Sequence, residues 1–198
     1  AAPSAMDNVD ALAVVEGDEP AACPTPLPVD SSAQELFQGH RAYRENQRGV
    51  SYEKLFGSYF EGARNIEIID PYIRAFHQCR NVMELLECAL SHFDYTAPEL
   101  SVHLITAPDD WDTSKQQDYL QQIADAMKPM GLTFTYELCD DPGLHARHLK
   151  IDGTWDILLD RGLDIFQRFD SGNVFAIENR MPEMRRVRQF EVTYIKRN

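Results

Sequence analysis

Apolar positions along this chain change rhythm several times, and each change predicts an element. Tyr52, Leu55, Phe56, Tyr59 and Phe60 recur at helical spacing, and Gly62 closes the run. Residues 65–70 then carry Ile66, Ile68 and Ile69 as a short strand stopped by Pro71. Between Ile73 and Phe93, the residues Ile73, Phe76, Val82, Leu85, Leu86 and Leu90 form one helical stripe. Leu100 to Ala107 alternates as a strand. Residues 113–128 make a second amphipathic helix, closed by Pro129 and Gly131. Strands follow over 132–138, 148–151, 155–159 and 190–195, with Asp152-Gly153 as a hairpin turn between the middle two. Helix–strand alternation followed by hairpin-like strands predicts an α/β domain with a mixed central sheet and flanking helices.

No such rhythm precedes Ser51. The first forty residues hold no Lys or Arg, seven Asp/Glu, and four prolines between 20 and 28. Proline fixes φ and donates no hydrogen bond, so this stretch reads as an extended linker. The expected organisation is an acidic, proline-containing disordered tail over 1–48 and a folded domain over 49–198. Ala1 to Asp10 has neither a basic start nor an apolar core, which predicts no secretory leader. Cys23, Cys79, Cys88 and Cys139 lie far apart without CxxC pairs, as expected of reduced thiols in a cytoplasmic protein. No apolar run reaches the roughly 18 residues of a membrane span.

Charge narrows the function classes. The net charge of the 198 residues is −13. Residues 1–140 hold 9 basic and 23 acidic side chains (−14), and residues 141–198 hold 10 and 9 (+1). Without the first forty residues, the chain stands at −6 (−13 plus 7). Wrapping of bulk nucleic acid is disfavoured, because neutralising phosphates needs clustered Lys and Arg. A small basic site for an anion is still allowed.

Two segments concentrate candidate chemistry. Asp70-Pro71-Tyr72-Ile73-Arg74 follows the first predicted strand, and ligands in α/β sheets bind beyond the carboxyl ends of strands. The plainer alternative is that Asp70 caps the next helix and Pro71 opens it. The second segment, His145-x-Arg147-x4-Asp152, is followed by Trp155 and Asp160-Arg161-Gly162-Leu163-Asp164. On a strand, His145 and Arg147 would share a face, where an imidazole and a guanidinium can act on a phosphate. The plainer alternative is a solvated histidine pair. Cys139, His145 and His148 match no strong zinc spacing, and P-loop, GxGxxG, GxSxG and HExxH motifs are absent. No metal and no cofactor are expected.

The blocks Gly49-Val50-Ser51-Tyr52-Glu53-Lys54-Leu55-Phe56, Ile66-Glu67-Ile68-Ile69-Asp70-Pro71-Tyr72-Ile73-Arg74, His145-x-Arg147 and Trp155 with Asp160-Arg161-Gly162-Leu163-Asp164-Ile165-Phe166 resemble one family. This is the MIT C-terminal domain, the phospholipase D-like module that follows microtubule-interacting-and-trafficking domains. The resemblance covers roughly residues 49–198, and bacterial copies look like C-terminal appendages of Lon-related ATP-dependent proteins. Active phospholipase D enzymes join two H-x-K-x4-D motifs. This chain has one, with Arg147 in place of Lys and Asp160-Arg161-Gly162 in place of a Gly-Ser block. The resemblance therefore implies a non-catalytic binding module serving other domains of a parent protein. It would recognise a phosphate-bearing ligand, such as an acidic lipid headgroup, or a protein partner, with Asp70, Tyr72, Arg74, His145, Arg147, Asp152 and Arg161 as the ligand-binding residues. A homodimer pairing two copies of His145 as catalytic residues is the enzymatic alternative, and a dimerisation domain with a vestigial cleft is a third.

Overall fold

The computed structural model describes residues 35–198 except 97, 98, 142, 144, 171 and 198. The proline-containing stretch and Cys23 lie outside the described residues. Seven strands form one mixed sheet: β1 (Gly39–Tyr43), β2 (Asn65–Ile69), β3 (Leu100–Thr106), β4 (Leu132–Leu138), β5 (His148–Ile151), β6 (Trp155–Leu159) and β7 (Phe190–Lys196). Their spatial order is β1-β7-β6-β5-β2-β3-β4. The helices are α1 (Ser58–Phe60), entered through a π-helical turn at Glu53–Gly57, then α2 (Phe76–Ser91), α3 (Thr113–Met127) and the single turn α4 (Ile177–Arg180).

β2, β3 and β4 are parallel neighbours in chain order, so α2 and α3 are successive crossovers in one direction. Right-handed crossovers of that kind put both helices on the same face. The registers agree with this. Ile66, Val102 and Phe134 lie side by side, as do Leu149, Ile157 and Tyr194, and all six are buried. The opposite face carries Glu67, His103, Lys150 and Thr193, all partly exposed. The antiparallel half comes from short connections. Asp152 and Gly153 take φ of 50° and 66°, the paired left-handed conformation of a tight hairpin turn.

Two expectations change here. The linker does not extend to residue 48, because the folded unit begins at Glu35 and β1 pairs antiparallel with β7. Aromatic contacts hold it: Tyr43 stacks on Phe190 at 4.5 Å, and the Tyr59 hydroxyl donates to the Phe37 carbonyl at 2.6 Å. An edge strand with exposed His40, Arg41 and Ala42 leaves no alternating apolar signal, which is why the sequence pattern passed over it. The second change concerns Asp70. Helix α2 starts at Phe76, after Ala75, and the Gln78 side chain accepts from the Arg74 and Ala75 amides at its start. Asp70 caps no helix.

Candidate functional site

At the carboxyl end of β2, Asp70 turns inward and is 3% exposed. One carboxylate oxygen accepts from the Tyr72 amide at 3.0 Å and the other from the Leu163 amide at 3.4 Å. The Asp70-Pro71-Tyr72 stretch is thus a side-chain-closed turn tied to the Arg161-Gly162-Leu163 loop. Arg147 reaches the same spot. Its Nη1 donates to the Asp160 carbonyl, its guanidinium stacks over Tyr72 at 4.3 Å, and its Nε lies 3.7 Å from Asp70 Oδ1. At 3.7 Å the charges attract but no hydrogen bond forms. Arg147 Nε is buried and has no hydrogen-bond partner among the described residues.

Gly162 makes this convergence possible. Its φ is +60°, and a Cβ there would overlap Asp70 Oδ2 and come within 2.9 Å of Arg147 Cδ. Asp70, Tyr72, Arg147, Arg161 and Asp164 line a cavity of about 210 Å³. Asp164 also borders a second cavity, of about 530 Å³, with His77, Arg80, Arg168 and Arg188. Arg188 pairs with Asp164 at 2.7 Å and Arg80 with Glu84 at 3.1 Å. Arg168 is exposed, with no ion pair among the described residues. The two cavities therefore share a wall and carry more guanidinium than carboxylate.

Burial pushes the Asp70 carboxyl above its ordinary range, against the pull of the Tyr72 amide, Arg147 and the Leu163 amide. Folding thus favours the protonated form. The corresponding stability is present below the unfolded value and is lost as pH rises through the folded one. Neutralising Asp70 also removes the negative charge facing Arg147. Sulfate keeps its charge in this range, so its binding should tighten as pH falls from neutral toward the ordinary carboxylate value of about 4. In a His77→Gln background, which removes the imidazole of the adjoining cavity, Asp70→Asn should abolish that response. Calorimetric titration at several pH values checks it.

The structure brings together Asp70, Tyr72, Arg147 and Arg161 from the sequence-derived set. Arg74 points elsewhere, donating to Asp110 at 2.6 Å and to the Pro71 carbonyl at 3.2 Å. Asp152 lies at the far end of the sheet, where its carboxylate accepts from the Arg64 and Asn65 amides. Five residues of β2 separate it from Asp70, about 15 Å of strand. His145 is exposed on the segment before β5, not on a strand as expected, and has no side-chain hydrogen bond or ion pair among the described residues. Sequence reasoning missed Gly162 as the point of close approach in the site, and His77, Arg80 and Arg168 as its extension. A glycine within Asp160-Arg161-Gly162 was the available signal for the first.

Residues 49–196 match the family model of the phospholipase D-like domain at the C-terminus of MIT. The chain belongs to this family. It is also 29% identical over 126 residues to "MIT domain-containing protein 1" of Mus musculus, an alignment covering 63% of this chain and 49% of that protein. The chain thus matches about half the length of the curated relative. In this MIT C-terminal domain the one histidine–arginine motif contributes only Arg147 to the cavity. Among the described residues, no helix is long and apolar enough to cross a membrane.

Proposed function

We propose that this MIT C-terminal domain is a non-catalytic binding module that receives a phosphate-bearing group in the cleft around Arg147. One observation carries the reading: Arg147 lines a cavity, and its buried, charged Nε has no hydrogen-bond acceptor among the described residues. Leaving such a donor unsatisfied costs about 1–3 kcal/mol or more, and an anionic oxygen brought up to the guanidinium from the cavity would relieve that cost. The guanidinium keeps one edge on the Asp160 carbonyl and its face on Tyr72, so its orientation is set before a ligand arrives. Arg161, held by its Nε bond to the Gln189 carbonyl at 2.7 Å, supplies a second positive charge.

Hydrolysis by a phospho-histidine route needs a nucleophilic imidazole at the phosphate and a second group to protonate the leaving oxygen. His145 lies outside the cavity lining, and Asp70 is engaged by two backbone amides. Those features favour retention of the ligand over its cleavage. The parent would be a larger, cytoplasmic protein, either MIT-containing like the mouse relative or Lon-related, whose other domains this module serves. Bis-p-nitrophenyl phosphate should be turned over no faster by the wild-type chain than by His145→Ala. Arg147→Gln should weaken binding of an inositol phosphate headgroup by about 10-fold, the scale of one charge-assisted bond. Metal-independent turnover lost on His145→Ala would instead favour the dimeric phosphodiesterase.

A further inference from the structure

A second cluster of reactive side chains lies away from the Arg147 cleft. Glu53 comes from the π-helical turn before α1, Cys88 from the last turn of α2, and His92 from the residue just past that helix. Cys88 and His92 are four residues apart, which puts them one above the other on one helix face. His92 Nε2 lies 2.8 and 3.0 Å from the two Glu53 oxygens, and Cys88 Sγ lies 3.5 Å from Glu53 Oε2. One ligand atom from each residue falls within 4.8 Å of the others.

A second feature of the backbone points the same way. Gly57 has an ordinary helical φ of −48°, so no conformational demand requires glycine there. A Cβ at Gly57 would nonetheless lie 2.5 Å from Glu53 Oε1 and 2.8 Å from His92 Nε2. The glycine keeps open the space into which the carboxylate and the imidazole converge. Single π-helical turns of this kind also occur frequently at functional sites.

We propose that Glu53, Cys88 and His92 bind a zinc-class divalent ion through a carboxylate oxygen, a thiolate and an imidazole nitrogen, with a fourth position open. Zinc bonds of about 2.0–2.3 Å set tetrahedral ligand atoms roughly 3.3–3.7 Å apart; the Glu53–Cys88 gap of 3.5 Å already matches, and the Glu53–His92 gap has to widen. As the Zn–S bond forms, the Cys88 thiol proton leaves to solvent. Sulfur and imidazole donors select zinc, cobalt or nickel over magnesium and calcium, which require oxygen cages. The buried Cys88 and half-buried His92 form the floor, and the exposed Glu53 leaves one side accessible to water or an external ligand. Glu84 and Glu87 border the adjoining cleft of about 490 Å³, opposite Arg80 and Arg185. Bound metal would clip the turn before α1 to the end of α2.

Cobalt(II), titrated into the reduced full chain, is the probe. The wild type should develop a near-ultraviolet thiolate-to-cobalt charge-transfer band that saturates, and added zinc should displace it. Cys88→Ser should abolish the band, while Cys139→Ser keeps it. Gly57→Ala tests the site without threatening the fold. Its added methyl displaces the flexible end of Glu53, so circular dichroism should be unchanged while cobalt affinity falls by about 10-fold or more, the scale on which even outer-shell partners act. Glu53→Gln should lower affinity similarly. No charge-transfer band in the wild type, a band surviving Cys88→Ser, or undiminished affinity in both Gly57→Ala and Glu53→Gln would overturn the proposal.

Discussion

Arg185→Ala should lower the folding stability of this domain by about 3 kcal/mol, the lower part of the range for removing one partner of a buried ion pair. Arg185 is 3% exposed and its Nη1 donates to Glu84 on α2 at 2.5 Å. Its Nε donates to the Glu178 carbonyl at 2.8 Å, and its guanidinium stacks on Phe169 at 4.3 Å. One side chain therefore ties the segment before β7 to α2 and to the Phe166–Phe169 loop. Truncation leaves the Glu84 carboxylate, 15% exposed, with Arg80 at 3.1 Å as its remaining ion pair, which moderates the loss. The change is read from the urea unfolding midpoint. Arg185→Met combined with Glu84→Gln should recover part of the stability, because it removes the unpaired charge along with the pair. A loss below about 1 kcal/mol, the surface ion-pair scale, would contradict this account of Arg185. The sequence marks Arg185-Arg186-x-Arg188 as a basic cluster open to acidic lipid or to intramolecular pairing. Arg185 and Arg188 are both engaged with carboxylates of the same chain.

Gly162→Ala should act on stability and on binding together. At φ +60° an alanine costs about 1–2 kcal/mol in backbone strain. Its methyl group would also overlap the Asp70 carboxylate and press on Arg147 Cδ, and overpacking of this kind costs about 1–3 kcal/mol more. The expected total is about 2–5 kcal/mol by denaturant unfolding. The carboxylate and the loop must part to relieve that overlap, which weakens the Leu163 amide bond and shifts the Arg147 side chain packed beside both. Whatever fraction stays folded should then bind the headgroup at least as weakly as Arg147→Gln does. Gly153→Ala is the matching control. It has a similar φ of +66° but open space around it, and should cost only the backbone strain with no effect on the ligand.

Much of the fold was legible because its elements repeat simple periods. The strands over 132–138, 148–151 and 155–159 occupy the residues their alternation marks, and Asp152-Gly153 makes the turn its composition favours. What was illegible depends on contacts distant in sequence. β1 is an edge strand held by Phe37 and Tyr43 against β7, about 150 residues away, and its own residues face water. In the site, the H-x-[K/R]-x4-D spacing suggested a shared catalytic cluster. His145 and Arg147 instead both precede β5, off any strand, and the strand and its hairpin turn carry Asp152 to the other end. On that segment Arg147 lines the cavity and His145 does not, while Asp152 anchors the turn at the far end. The convergence of Asp70 with Arg147 comes from sheet order, since β2 and β5 are antiparallel neighbours although about 80 residues separate them. Cys88 and His92 sat at helical spacing in plain view, but their third partner, Glu53, lies 35 residues before Cys88.

The central claim is that the unpartnered Nε donor of Arg147 receives a phosphate oxygen. The most direct measurement is a nitrogen-15 NMR titration of the arginine Nε–H signals with an inositol phosphate. The Arg147 Nε–H resonance should shift saturably and by more than any other arginine signal, with Tyr72 and Gly162 following and Arg74 unmoved. An Arg147 signal that stays in place at millimolar ligand, or that moves no more than Arg74, would contradict the account.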